Sequence, residues 1–240
     1  MKLVRLLLAT ALLPLPVHAD DTLPRVVVTA ERDAEWGSYR HAYKAASFFE
    51  KFTRSRPLIQ AHMQIRPIDK AASLDGLALR LVGAKTDLQI PVDALGRAVL
   101  PMLKQAYEDD AVIRLNRHKD LFYFSGRYSI KEREDGVYDV AELRAACEQL
   151  IEAQRDSGYR MRLLGKKCVG IKFDYSDAAP PVQFQQAGKV MGNLPVQEGH
   201  PFEDNSMGLY KVALYRFTDW PQQGKLVVGQ RPLAIGTQYE

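Results

Sequence analysis

Apolar and polar positions alternate with a period of two along most of this chain. Two stretches lengthen that period to three and four. Between Asp33 and about Thr53, Trp36, Tyr39, Tyr43, Ala46 and Phe49 recur at helical spacing and form an aromatic stripe. Pro57 ends that element. A second helix is predicted after Asp139, an N-cap residue with Glu142 three positions later. Leu143, Cys147, Leu150 and Ile151 then share one face, and Gly158 is a natural stop.

The remainder reads as strands. In residues 58–66, Ile59, Ala61, Met63 and Ile65 alternate with Gln60, His62, Gln64 and Arg66, the pattern of a half-buried strand. Leu77, Leu79 and Leu81 predict another strand, and Leu88, Ile90 and Val92 a third. The third runs into Asp93-Ala94-Leu95-Gly96, a hairpin-type turn whose return strand is residues 97–100, stopped by Pro101. Ala111, Ile113 and Leu115 follow, then a strongly aromatic strand through Phe122, Phe124, Gly126, Tyr128 and Ile130, closed at Asp135-Gly136. Cys168 opens a further strand with Val169, Ile171 and Phe173. Residues 176–208 contain Pro180, Pro181, Pro195 and Pro201 with much Gly and Gln, and are expected to form a loop. Strand patterning returns over 209–217 and 226–235. Two strands cannot make an independent core, so these should join the main sheet. The expected fold is one α+β domain over residues 20–240, a mainly antiparallel, sandwich-like sheet with two packed helices.

The N-terminus changes the setting. Lys2 and Arg5 precede an apolar run over residues 6–17, and Val17-His18-Ala19 resembles a cleavage signature, so residues 1–19 are expected to be a signal peptide cut near Ala19-Asp20. The run is too short to span a bilayer, and no other window is long and apolar enough. The expected location is periplasmic or secreted. Cleavage removes two of 33 bases and no acid, leaving 31 against 29 and a net charge of +2 rather than +4. That balance argues against a nucleic-acid partner. In an oxidising compartment, Cys147 and Cys168 are expected to form a disulfide that staples helix to sheet.

Motifs for chemistry are scarce. His41, His62, His118 and His200 show no metal-ligand spacing, Gly37-Ser38-Tyr39 lacks the framing of a nucleophile elbow, and Gly165-Lys166-Lys167 lacks the rest of a phosphate loop. Glu132, Glu134, Asp135 and Asp139 surround Gly136 without the order of a calcium loop and read as an acidic turn. Neither a cofactor nor a metal is expected, and no catalytic residue is assigned. His62, flanked on its strand's polar face by Gln60 and Gln64, is the candidate ligand-binding group.

Two local resemblances bear on function. Residues 25–32, Arg-Val-Val-Val-Thr-Ala-Glu-Arg, resemble the start of the plug in TonB-dependent receptors, although 240 residues are too few for such a barrel. The likeness would suit an accessory factor of an outer-membrane receptor. Residues 77–116, with Ile-Pro-Val-Asp-Ala-Leu-Gly-Arg and then Leu-Pro, resemble transthyretin-like or carboxypeptidase-regulatory β-sandwich modules, which implies binding or spacing rather than catalysis. The expectation is therefore a non-enzymatic cell-envelope protein that binds an envelope protein or a small ligand. The alternative is an envelope hydrolase built from dispersed residues, with His62 and Asp109-Asp110 as first candidates.

Overall fold

The structure is a computed structural model that describes residues 34–118 and 120–240. The predicted signal peptide and the receptor-like run at 25–32 lie outside those residues. The described residues from 34 onward form one compact unit, an α+β fold of four mostly antiparallel sheets and three helices.

Strand β1 (Ala34–Ser38) leads directly into α1 (Tyr39–Thr53). The helix therefore starts later than the aromatic spacing predicted, and Trp36 belongs to the strand. Tyr39 is fully buried and its hydroxyl donates to the Pro101 carbonyl at 2.5 Å. β2 (Ile59–Pro67) pairs along its whole length with β7 (Phe122–Ile130), and β5 (Arg97–Ala98) covers only Met63 and Gln64 on its other side. A second sheet takes β1, β6 (Val112–His118), β3 (Leu79–Val82) and β4 (Asp87–Ile90), in that order. The short helix α2 (Lys104–Glu108) precedes β6.

The expected hairpin around Asp93 does not form. β4 turns back on β3 instead, and the chain beyond it crosses to pair with β2 in the other sheet. The turn itself is as predicted: Asp93 Oδ1 accepts from the backbone N–H groups of Leu95 and Arg97, and Gly96 takes φ +70°. A Cβ at Gly96 would stand 2.5 Å from the Ile65 carbonyl oxygen, so turn and strand approach as only glycine permits. Pro91, without an N–H, ends the β3–β4 ladder. Residues 77–116 are thus divided between two sheets.

The largest core lies between α3 (Val140–Gln154) and the sheet β12-β13-β9-β15. These strands are β12 (Val196–Gly199), β13 (Tyr210–Arg216), β9 (Cys168–Tyr175) and β15 (Ala234–Tyr239). Asp139 caps α3 as predicted, accepting from the N–H groups of Ala141 and Glu142. Gly158, at φ +111°, breaks the helical path that extends past α3. Cys147 of α3 and Cys168 of β9 are joined in a disulfide with Cα atoms 6.0 Å apart.

The proline-rich stretch 176–208 is more ordered than its composition predicts. It contributes β10 (Val182–Gln186), β11 (Lys189–Asn193) and β12. Val182 and Phe184 point inward and are fully buried, which outweighs the turn-forming residues around them. β14 (Lys225–Val228) lies between β10 and β8 (Val137–Asp139). The C-terminal strands join the main sheets as expected, except that residues 226–235 are divided between β14 and β15. No helix among the described residues is long and apolar enough to cross a membrane.

Candidate functional site

Antiparallel pairing brings opposed residues to one face, so the register of β2 and β7 sorts their side chains. One face of this sheet carries Ile59, Ala61, Met63 and Ile65 beside Tyr128, Gly126 and Phe124, and α1 lies against it. The other carries Gln60, His62, Gln64 and Arg66 beside Ser129, Arg127 and Ser125, with Arg97 added by β5. Alternation predicted this polar face to meet solvent. Much of it is buried instead: Gln64, Arg97, Arg127 and Ser129 are each at most 6% exposed.

What buries them is an internal layer of paired charge. Arg97 binds Asp93 at 2.7 Å and Glu132 at 3.2 Å, and donates also to the Leu233 carbonyl of the segment before β15. Arg127 reaches Glu203 at 3.5 Å and Asp204 at 3.1 Å, and Arg66 joins Asp204 at 3.3 Å. Gln64 bridges the two groups, receiving Arg127 Nε at 2.8 Å and donating to the Leu95 carbonyl at 3.1 Å. Burial tends to raise the Asp204 carboxyl, but Arg127, the Ser206 hydroxyl and Arg66 outweigh it and hold it at about 2. Asp174 is the exception. It is fully buried and neither carboxylate oxygen has a hydrogen-bond partner among the described residues, so burial pushes its carboxyl well above the usual range despite Lys172 and Arg97.

Where β5 stops, a cleft of about 690 Å³ opens along the uncovered half of β2. His41, Ala45 and Phe49 of α1 form one wall, Val99, Leu100 and Met102 another, and residues 59–63 of β2 the floor. The lining is largely apolar, with polar groups contributed by the sheet side (His62, Gln60 and Lys131) and by α1 (His41, Glu50 and Thr53). His62 Nε2 lies 2.8 Å from Ser129 Oγ. That oxygen already accepts from Arg97 Nη1 at 3.2 Å, which leaves the hydroxyl proton to be donated to the imidazole. Burial, and then the Arg97 charge, depress the His62 pKa to about 3, so the ring is neutral at physiological pH. Gln60 donates to Glu132 at 2.5 Å.

Of the three predicted ligand-binding residues, His62 and Gln60 therefore meet at the cleft, whereas Gln64 is spent within the charged layer. His41 reaches the same cleft from α1, a juxtaposition that spacing did not suggest. Asp109 and Asp110 do not line it. They close α2, where Asp109 accepts from Gln105 and Asp110 pairs with Arg40 at 3.5 Å. The acidic turn is dispersed among separate tasks: Glu132 binds Arg97, Asp135 binds Arg133, and Asp139 caps α3. Arg97 and Ser129 were not singled out from sequence, and Glu132 was read only as part of an acidic turn. For Ser129 the available signal was the polar set that alternates with Phe122, Phe124 and Tyr128, which β7 must present on its other face.

No family model matches this chain, and no curated protein or solved structure matches it either. The cleft and its chemistry carry the functional argument.

Proposed function

We propose that this is an exported, non-enzymatic cell-envelope protein that binds a small amphipathic ligand between α1 and β2. The observation that carries this reading is the cleft itself. Its volume of about 690 Å³ falls within the range of small-molecule sites, and its apolar walls meet a few convergent polar groups at His62 and Gln60. The apolar part of the ligand lies along Ala45, Phe49 and Leu100, and a hydroxyl or carbonyl group meets the His62 end. The disulfide and the predicted leader support location in the periplasm or outside the cell.

Hydrolysis has less support. Ser129 is fully buried, so its hydroxyl has no path to a substrate. A histidine held near pKa 3 is a poor general base. The test is native mass spectrometry of protein recovered from the cell envelope, beside the A45W variant. Ala45 is an exposed cleft-lining position, so the larger ring blocks the cleft without entering the core. A bound small molecule present in the parent and lost in A45W is expected. A ligand-free parent that also fails to take up a fluorescent amphiphile would refute the reading.

A further inference from the structure

The segment joining α3 to β9 has a different character from the cleft. Met161 and Leu164 are the two most exposed large apolar side chains among the described residues, at 82% and 75%, and Tyr159 is 43% exposed. They are interleaved with Arg160, Arg162, Lys166 and Lys167, all exposed, and none of these four forms an ion pair with a described residue. The acids on adjoining chain are engaged elsewhere: Asp156 with Arg56 at 2.6 Å, and Glu240 with Arg216 at 3.5 Å.

The turn is held in shape from beneath. Leu163 is buried, and Arg155 folds under the segment to donate to the Lys166 carbonyl at 2.8 Å. Gly158 and Gly165 take φ +111° and +73° at its two ends, with open space where a Cβ would be. The disulfide ties the chain immediately beyond it to α3. A braced turn that presents exposed apolar side chains interleaved with unpaired cations matches the interface of an anionic bilayer. There, acyl chains take the apolar groups and headgroup phosphates meet the cations.

We infer that residues 159–167 dock this protein reversibly on an anionic lipid surface. The step is independent of the ligand cleft. With two or three apolar groups and four cations, attachment is weak and salt-sensitive rather than permanent.

The test is flotation of the full chain with phosphatidylglycerol-containing vesicles and with pure phosphatidylcholine vesicles. Parent protein is compared with M161D/L164D and with R160Q/K166Q/K167Q. Every form shares the same N-terminal apolar run, so only differences between forms are read. Binding to the anionic vesicles is expected, weakening by roughly tenfold or more in the apolar double variant. Each cation removed should lower it about fivefold. A second readout localises the contact: the fluorescence added by M161W should be quenched by acyl-brominated lipid, and that added by L209W at another exposed site should not. Equal flotation of parent and M161D/L164D would overturn the inference. So would retention on heparin by both forms with no vesicle binding by either, since the cations would then serve a soluble polyanion. Both apolar positions are solvent-facing, so an unchanged melting temperature certifies that the variants are folded.

Discussion

Gly126 of β7 lies directly beneath the ring of Phe49 from α1: a Cβ at this glycine would stand 2.1 Å from Phe49 Cε2. The helix thus rests on the sheet at a point where the strand has no side chain, and Phe49 forms part of both the core and the cleft wall. G126A should destabilise the fold by about 1–3 kcal/mol, because the ring must move in packed surroundings. Urea denaturation measures that loss. If Phe49 moves toward the cleft, uptake of a fluorescent amphiphile should fall in the same variant.

His62 gives a second expectation, in acid. An unfolded histidine titrates near 6.5, whereas in the fold this one titrates at about 3. Between those values only the unfolded chain takes up the proton. The stability His62 contributes is therefore complete above about pH 6.5 and declines as pH falls toward 3. Between pH 7 and 5 most carboxylates do not yet titrate, so the slope of unfolding free energy there should lessen in H62Q. An unchanged slope would mean that His62 is protonated in the native protein.

Asp174 behaves in the opposite sense. Its folded pKa lies above its unfolded value, so its contribution is complete below about pH 3.8 and is lost as pH rises. D174N keeps the shape and removes the ionisation. The variant should match the parent near pH 4 and exceed it in stability at pH 8, read from urea midpoints at the two values. Equal midpoints at both would place a charged carboxylate in the native core.

The disulfide closes a span of 21 residues. In the chain-entropy account such a loop contributes about 3 kcal/mol. Reduction, or C147A/C168A, should lower stability by about that amount while leaving the secondary structure seen by circular dichroism in place.

Local signals predicted these elements well where one periodicity stood alone. The aromatic alternation of residues 122–130 coincides with β7, and the Asp139 cap marks the start of α3 to the residue. The cysteine pair was legible because the expected compartment and the helix face pointed the same way. Pairing between distant segments was not legible. Nothing near Arg127 announces Glu203, 76 positions away, or that the layer between them would bury a face whose residues read as solvent-exposed. The turn at Asp93 was readable, but its strand partner was not, because a turn fixes direction locally and leaves open which edge the chain then reaches. The cleft was half visible. His62 and Gln60 were marked by their position on one strand, while His41 and Phe49 came to it only through helix packing.

The position of β9 has a consequence for a chain that leaves its site of synthesis N-terminus first. Both strands that hydrogen-bond to β9, namely β13 and β15, follow it in sequence. When the chain has emerged only as far as β9, Ile171 and Phe173 have no paired strand on either side. Closure must wait until residues 234–239 arrive. The same topology that makes β9 the middle of its sheet also makes that sheet the last to close, whereas the sheets built from β1 to β7 can be complete once residue 130 is out.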